Sequence, residues 1–238
     1  MLALLLVFAA CAGKESDMNS MTDEQLYAKG IGYIAKENYD EAIVILQKLE
    51  ETFPYSPYLL RTWLSLGYAQ YASKKYQEAA DTFTKTARMQ PGAATADYAN
   101  YMLAKSIYVQ IQPINREQKS TESALVAMER TIRQYPDSPY AEDLKPKVIV
   151  ARNTLAAKQM FIARELLRGK NFIGALNRYQ TVIAKHDTTI YAAEALFRTV
   201  EIYNILDQRD DALNMLKLLE TNYADSEWTA MARKILGI

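Results

Sequence analysis

The chain opens on ten apolar residues, Met1–Ala10, passes through a short polar stretch at Gly13–Ser20, and then settles into a recurring pattern of small, apolar and turn-forming positions. The pattern is clearest around Trp63-Leu64-Ser65-Leu66-Gly67, followed by Tyr76, Ala79, Phe83 and Pro91. These offsets fit a 34-residue helix–turn–helix repeat of the tetratricopeptide type, with Trp63 at position 4, Gly67 at 8, Ala79 at 20, Phe83 at 24 and Pro91 at 32. The preceding stretch gives Gly30, Tyr33, Ala42 and Pro54 at positions 8, 11, 20 and 32. Further on, Ala124 and Pro136 fill positions 20 and 32 of a third unit, and Ala175 and Ala212 mark a fourth and a fifth. Three seams between units read alike: Phe53-Pro54-Tyr55-Ser56-Pro57-Tyr58, Tyr135-Pro136-Asp137-Ser138-Pro139-Tyr140 and Tyr223-Ala224-Asp225-Ser226-Glu227-Trp228.

The physics behind the spacing is steric. Small residues at positions 8 and 20 let the two helices of a pair approach closely, and proline at 32 ends the second helix because it lacks a donor and restricts its predecessor. One pair cannot bury its apolar face alone, so neighbours stack. The expectation is an all-α superhelix of five repeats, at about 23–58, 59–95, 96–139, 156–190 and 191–226. Two irregularities interrupt it. The first helix of the third unit, about Asp97–Tyr108, is set apart from its partner by extra residues around Ile111–Thr121, and Tyr140–Arg168 reads as one long helix, or two nearly continuous ones, joining units three and four. Ser226–Leu236 reads as a capping helix with Ser226 at its N-cap.

Ten apolar residues are half of what a membrane-spanning helix needs, but they suit the apolar region of a signal peptide. Phe8-Ala9-Ala10-Cys11 resembles the bacterial lipobox, in which the cysteine is lipidated and becomes the mature N-terminus. On this reading residues 1–10 are a signal peptide, 11–22 a lipidated Cys11 with a short tether, and 23–238 the repeat domain. Ala12 behind the cysteine resembles the sorting signal of lipoproteins sent to the outer membrane.

Composition narrows the function classes. Lys plus Arg equals 28 and Asp plus Glu equals 28, so a polybasic nucleic-acid binder is excluded and any charged partner meets a local patch. A single histidine and a single cysteine exclude nearly every zinc site and every internal disulfide, and no metal is expected. His186 reads as a solvated turn residue, and the pairs Glu50-Glu51 and Asp210-Asp211 as surface charges rather than a general acid and base. With no phosphate loop or nucleophile motif, neither an enzyme nor a cofactor is expected.

Tyrosine, at seventeen residues, carries the remaining chemistry. In such repeats the concave surface is lined by the first helix of each pair. The phase places Tyr27, Ile31, Ile34, Arg61, Leu64, Tyr68, Tyr71, Tyr98, Tyr101, Lys105 and Tyr108 there. Aromatic rings suit a peptide-binding groove, each buried ring stabilising by about 1.5–3 kcal/mol. Two roles are open to them: lining that groove, or packing against neighbouring helices.

A lipobox followed by five such repeats, with Tyr-Pro-x-Ser-x-Tyr seams and an enlarged third unit, resembles the BamD family, the repeat lipoproteins of the bacterial outer-membrane β-barrel assembly machinery. Arg116-Glu117-Gln118-Lys119 resembles the family's Arg-Asp-Gln-basic run, with Glu117 in place of aspartate and Thr121 where the family usually has proline. The resemblance implies a lipid-anchored, non-catalytic scaffold on the periplasmic face of the outer membrane. It would bind the insertase BamA and a companion lipoprotein such as BamC, and receive unfolded β-barrel proteins. The groove residues Tyr27, Ile31, Arg61, Tyr68, Tyr71, Tyr98, Tyr101 and Lys105 would take the clients. The loop residues Arg116, Glu117 and Lys119, with Arg198 and Glu201 of the fifth unit, would contact partners. Another periplasmic repeat adaptor, like the Tol-Pal coordinator, is the alternative.

Overall fold

A computed structural model describes residues 20–89, 91, 92 and 94–238. The expected signal peptide, Cys11 and most of the tether lie outside the described residues. Among the described residues the chain is all-α, with eleven helices. They are α1 (Asp23–Ala35), α2 (Tyr39–Thr52), α3 (Leu59–Ala72), α4 (Tyr76–Met89), α5 (Ala96–Tyr108), α6 (Lys119–Gln134), α7 (Pro139–Arg168), α8 (Phe172–Lys185), α9 (Ala192–Ile205), α10 (Arg209–Asn222) and α11 (Glu227–Leu236). Two compact units divide the chain. One holds the residues up to Gln110 with Arg130–Glu142; the other holds Ile111–Glu129 with Asp143–Ile238.

The small-residue register does what its sterics require. Ala42, Ala79, Ala124, Ala175 and Ala212, the five alanines of position 20, are each 0% exposed. Gly30 packs on Leu46 and Gly67 on the ring of Phe83, and a Cβ added at either would lie under 3.0 Å from that neighbour. In the first unit α3 adjoins both α1 and α5, so successive first helices lie side by side. In the second, α9 packs on α8, α10 and α11.

The turn inside a helix pair repeats as well. Glu37, Lys74, Lys170 and Asp207 all have φ between 56° and 65°, the left-handed region. At each, the next residue's N–H returns to a carbonyl five positions back: Asn38 to Tyr33, Lys75 to Gln70, Asn171 to Leu166 and Gln208 to Tyr203. This is the Schellman ending, which satisfies the last carbonyls of a helix. No glycine marks it here. The third unit replaces this turn with its longer loop.

That loop ends earlier than expected. Lys119–Thr121 are not loop residues but the first turn of α6. The cause is Gln118, 7% exposed. Its Nε2 donates toward the carbonyls of Gln112, Pro113 and Arg116 at 3.4, 3.0 and 3.2 Å, and its Oε1 accepts from the Thr121 hydroxyl at 2.7 Å. One amide thus gathers the loop and starts the helix.

The seams close with serine. Ser56 donates to Asp23 at 2.6 Å and accepts from the Tyr58 N–H at 3.0 Å. Ser138 does the same with Asp97 at 2.8 Å and Tyr140 at 3.3 Å. Ser226 accepts from Trp228 N–H at 3.3 Å as the N-cap of α11, as expected of that serine.

Candidate peptide-binding surface

The last aromatic of each seam folds back on a ring of the first helix before it. Tyr58 stacks on Tyr27 with centroids 5.3 Å apart, and Trp228 lies 5.4 Å from Phe197. Tyr140 meets both Tyr98, at 5.5 Å, and Tyr101, at 4.8 Å. These distances fall in the range where aromatic pairs add to simple burial. The seam aromatics therefore fasten the start of one repeat to a ring on the first helix of the repeat before it, a role the phase of the first helices alone does not reveal. The recurrence of tyrosine or tryptophan at the end of each seam is the signal that carried it.

Around these pairs the first unit presents further rings. Tyr68 of α3 lies edge-on to Tyr39 of α2 at 6.3 Å, and Tyr71 edge-on to Tyr76 at 5.4 Å. Tyr98 also meets Phe83 edge-on at 6.2 Å. Lys105 reaches over both Tyr71 and Tyr101, 5.6 and 5.3 Å from their centroids, and donates to the Tyr101 hydroxyl at 3.1 Å. Its ammonium thus stands between two ring faces, a cation–π arrangement. Burial pushes the Tyr98 hydroxyl up to about 12, with the hydroxyls of Tyr140, Tyr68 and Tyr101 adding to the shift.

Exposure sorts the expected groove residues. Tyr68 is 40% exposed and Arg61 is exposed, whereas Tyr27, Ile31, Tyr71, Tyr98 and Lys105 are half-buried. Tyr101 departs from the expectation of an open groove position: it is 8% exposed, because Tyr140 covers one face. The two roles left open for the tyrosines are thus divided among them. Tyr101 packs, Tyr68 faces outward, and the others do part of each. Tyr39, Tyr58, Tyr76 and Tyr140 join the cluster without having been expected there.

The residues expected to meet partners lie in the second unit, at two separate places. Arg116 and Glu117 are exposed in the loop, and Lys119 is exposed as the first residue of α6. Arg198 and Glu201 sit on α9, joined to each other at 2.9 Å. Arg198 Nε also lies 3.6 Å from Glu194, and Arg164 grips Glu194 through two bonds of 3.2 and 2.6 Å. These are members of a half-buried ion-pair network rather than isolated surface charges. Beneath them the buried Tyr179 hydroxyl has no hydrogen-bond partner among the described residues, and burial pushes it up to about 12. His186, expected to be solvated, is half-buried just after α8; burial and the neighbouring Lys185 and Arg152 hold its imidazole below the ordinary range.

Among the described residues no cluster of side chains suits a metal ion, and no helix is long and apolar enough to cross a membrane. The surface of the first unit presents rings, a cation and hydroxyls.

The model of the YfiO family, described as an outer membrane lipoprotein, matches residues 19–218. "Outer membrane protein assembly factor BamD" of Caulobacter vibrioides is 33% identical over 233 residues, covering 96% of this chain and 76% of that protein. The protein of the same name in Rickettsia prowazekii is 30% identical over 99% of this chain and 94% of its own. That of Neisseria meningitidis serogroup B is 26% identical over 94% and 90%.

Proposed function

This chain belongs to the YfiO family of outer membrane lipoproteins, and from that premise we propose that it is a non-catalytic assembly factor for outer-membrane β-barrel proteins. The observation that carries the reading is the near full-length similarity to relatives that share the name of outer membrane protein assembly factor. In this proposal Cys11 is acylated and holds the repeats at the periplasmic face of the outer membrane. Each buried lipid methylene contributes about 0.8 kcal/mol, so more than one chain makes the attachment stable.

The aromatic surface of the first unit receives unfolded clients, with Tyr68 and Arg61 as the outward contacts and Lys105 as the cation between rings. Affinity there comes from ring burial, since an exposed ion pair contributes under about 1 kcal/mol. The loop with Arg116, Glu117 and Lys119, and the α9 pair Arg198 and Glu201, are the proposed contacts to the BamA insertase and a companion lipoprotein such as BamC. Loops of unusual length on rigid repeats commonly serve binding.

The test is twofold. A peptide from the C-terminus of a β-barrel protein is titrated against the parent and the Tyr68→Ala/Tyr71→Ala variant at matched melting temperature. Weakened binding in the folded variant is expected, and unchanged affinity removes the surface from the proposal. Extraction in mild detergent is expected to bring the insertase with the chain; Tol-Pal components in its place would favour the adaptor reading.

A further inference from the structure

Tyr55 is 98% exposed, more than any other large hydrophobic residue of the described chain. It stands at the tip of the first seam, where the Ser56 N–H bonds back to the Phe53 carbonyl at 3.0 Å. The same turn recurs at Ser138 to Tyr135, Thr189 to His186 and Ser226 to Tyr223, at 3.0–3.1 Å. Its tip residue in those turns is Asp137, Thr188 or Asp225, all exposed. The turn itself therefore has no need of an aromatic ring. Only the first seam puts one into solvent.

This seam is also tied to the place where the chain enters the fold. Ser56 is bonded to Asp23 at the start of α1. Met21 and Phe53 both pack on the cluster of Leu26, Ile45 and Leu49. Pro54 and Pro57 fix the backbone on either side of the tip. Between Cys11 and Ser20 lie nine peptide steps, which span at most about 30 Å when fully extended. A lipid on Cys11 thus confines this end of the first repeat to the neighbourhood of the bilayer.

We propose that Tyr55 is a membrane contact, its ring seated among the headgroups of the leaflet that carries the Cys11 lipid. The inference rests on the lipid-anchor reading above. Tyrosine suits that depth because its ring is apolar and its hydroxyl stays wet. Around this seam Glu24 and Glu51 are exposed with Arg61, and Glu24, Asp23 and Arg61 all act on the neighbouring Tyr58, so the carboxylates outnumber the cation and a zwitterionic surface suits the contact better than an anionic one. The contact gives the first repeat an orientation that a tether alone leaves free.

The test uses the full lipidated chain, parent and Tyr55→Trp, in vesicles of phosphatidylethanolamine and phosphatidylcholine brominated near the headgroup end of their acyl chains. Trp63 and Trp228 contribute equally to both proteins, so the difference spectrum reports position 55. The expected result is a blue-shifted added emission that brominated lipid quenches. Added emission at the wavelength of water-exposed indole, without quenching, overturns the proposal, as does a shift seen only when a protein partner is added. Fatty-acid labelling of Cys11 is read separately. A labelled chain with unquenched emission overturns the Tyr55 contact and leaves the anchor standing; quenching in an unlabelled chain supports the contact and removes the anchor.

Discussion

Gly67 faces the ring of Phe83 so closely that a methyl group added to it would lie 2.7 Å from Cζ. The ring is 0% exposed and has no free end to move. Gly67→Ala is therefore expected to destabilise, because overpacking costs about 1–3 kcal/mol and outweighs the gain of up to about 1 kcal/mol from better helix propensity. Gly32, with nothing among the described residues within 4 Å of its added Cβ, is the control. Gly32→Ala should stabilise by about 0.5–1 kcal/mol. Denaturant midpoints at constant slope separate the two outcomes.

Lys74 holds a φ of 65° in the turn between α3 and α4. A side chain there costs about 1–2 kcal/mol, part of which glycine forfeits through its freer unfolded state. Lys74→Gly should raise stability by about 0.5–1 kcal/mol. Equal gains at Glu37, Lys170 and Asp207 would show that the four turns share one strain; thermal midpoints of the single variants measure it.

These turns explain where sequence reading reached its limit. The buried alanines and close-packed glycines are legible because a small residue at a fixed offset has one steric cause. The left-handed turn is not, because lysine, glutamate and aspartate stand where glycine would signal it. The tyrosines were ambiguous for another reason. Helix phase places Tyr98 and Tyr101 on the same helix, but only the return of Tyr140 decides that Tyr101 is covered and Tyr98 partly so. The boundary at Lys119 depended on a single glutamine side chain, which no periodicity reports.

Ionisation of tyrosine should unfold the chain at high pH. Tyr98 and Tyr179 lose their protons in the folded state only at about 12, above the ordinary value of 10.0, chiefly because burial disfavours the phenolate. The folded state then holds more protons than the unfolded one between those values. The stability is fully present below pH 10.0 and is lost as pH rises toward 12. Absorbance at the phenolate band, followed with circular dichroism, should show these two titrating together with helix loss. Smooth titration of all tyrosines near 10 with the helices intact would contradict it.

Glu194 has a side chain only 11% exposed and is held by Arg164 and Arg198. Arg164→Met removes its closest partner while keeping much of the aliphatic packing. The expected loss is about 1–3 kcal/mol, the cost of leaving a buried charge poorly paired. Pairing it with Glu194→Gln in a double-mutant cycle should recover part of that loss, and purely additive effects would mean that the bond contributes nothing.

The seam serines have a bearing on how the molecule comes apart. Ser56 and Ser138 each serve two masters: the hydroxyl proton goes to an aspartate at the start of the repeat just ended, and the oxygen receives an amide at the start of the helix to come. Melting either neighbour frees the same side chain and strips the other of a terminal contact. Within the first unit, then, a repeat does not fray alone. Loosening of α1 should be felt at the start of α3, and exchange of the backbone amides in these helices should rise and fall together rather than in independent steps.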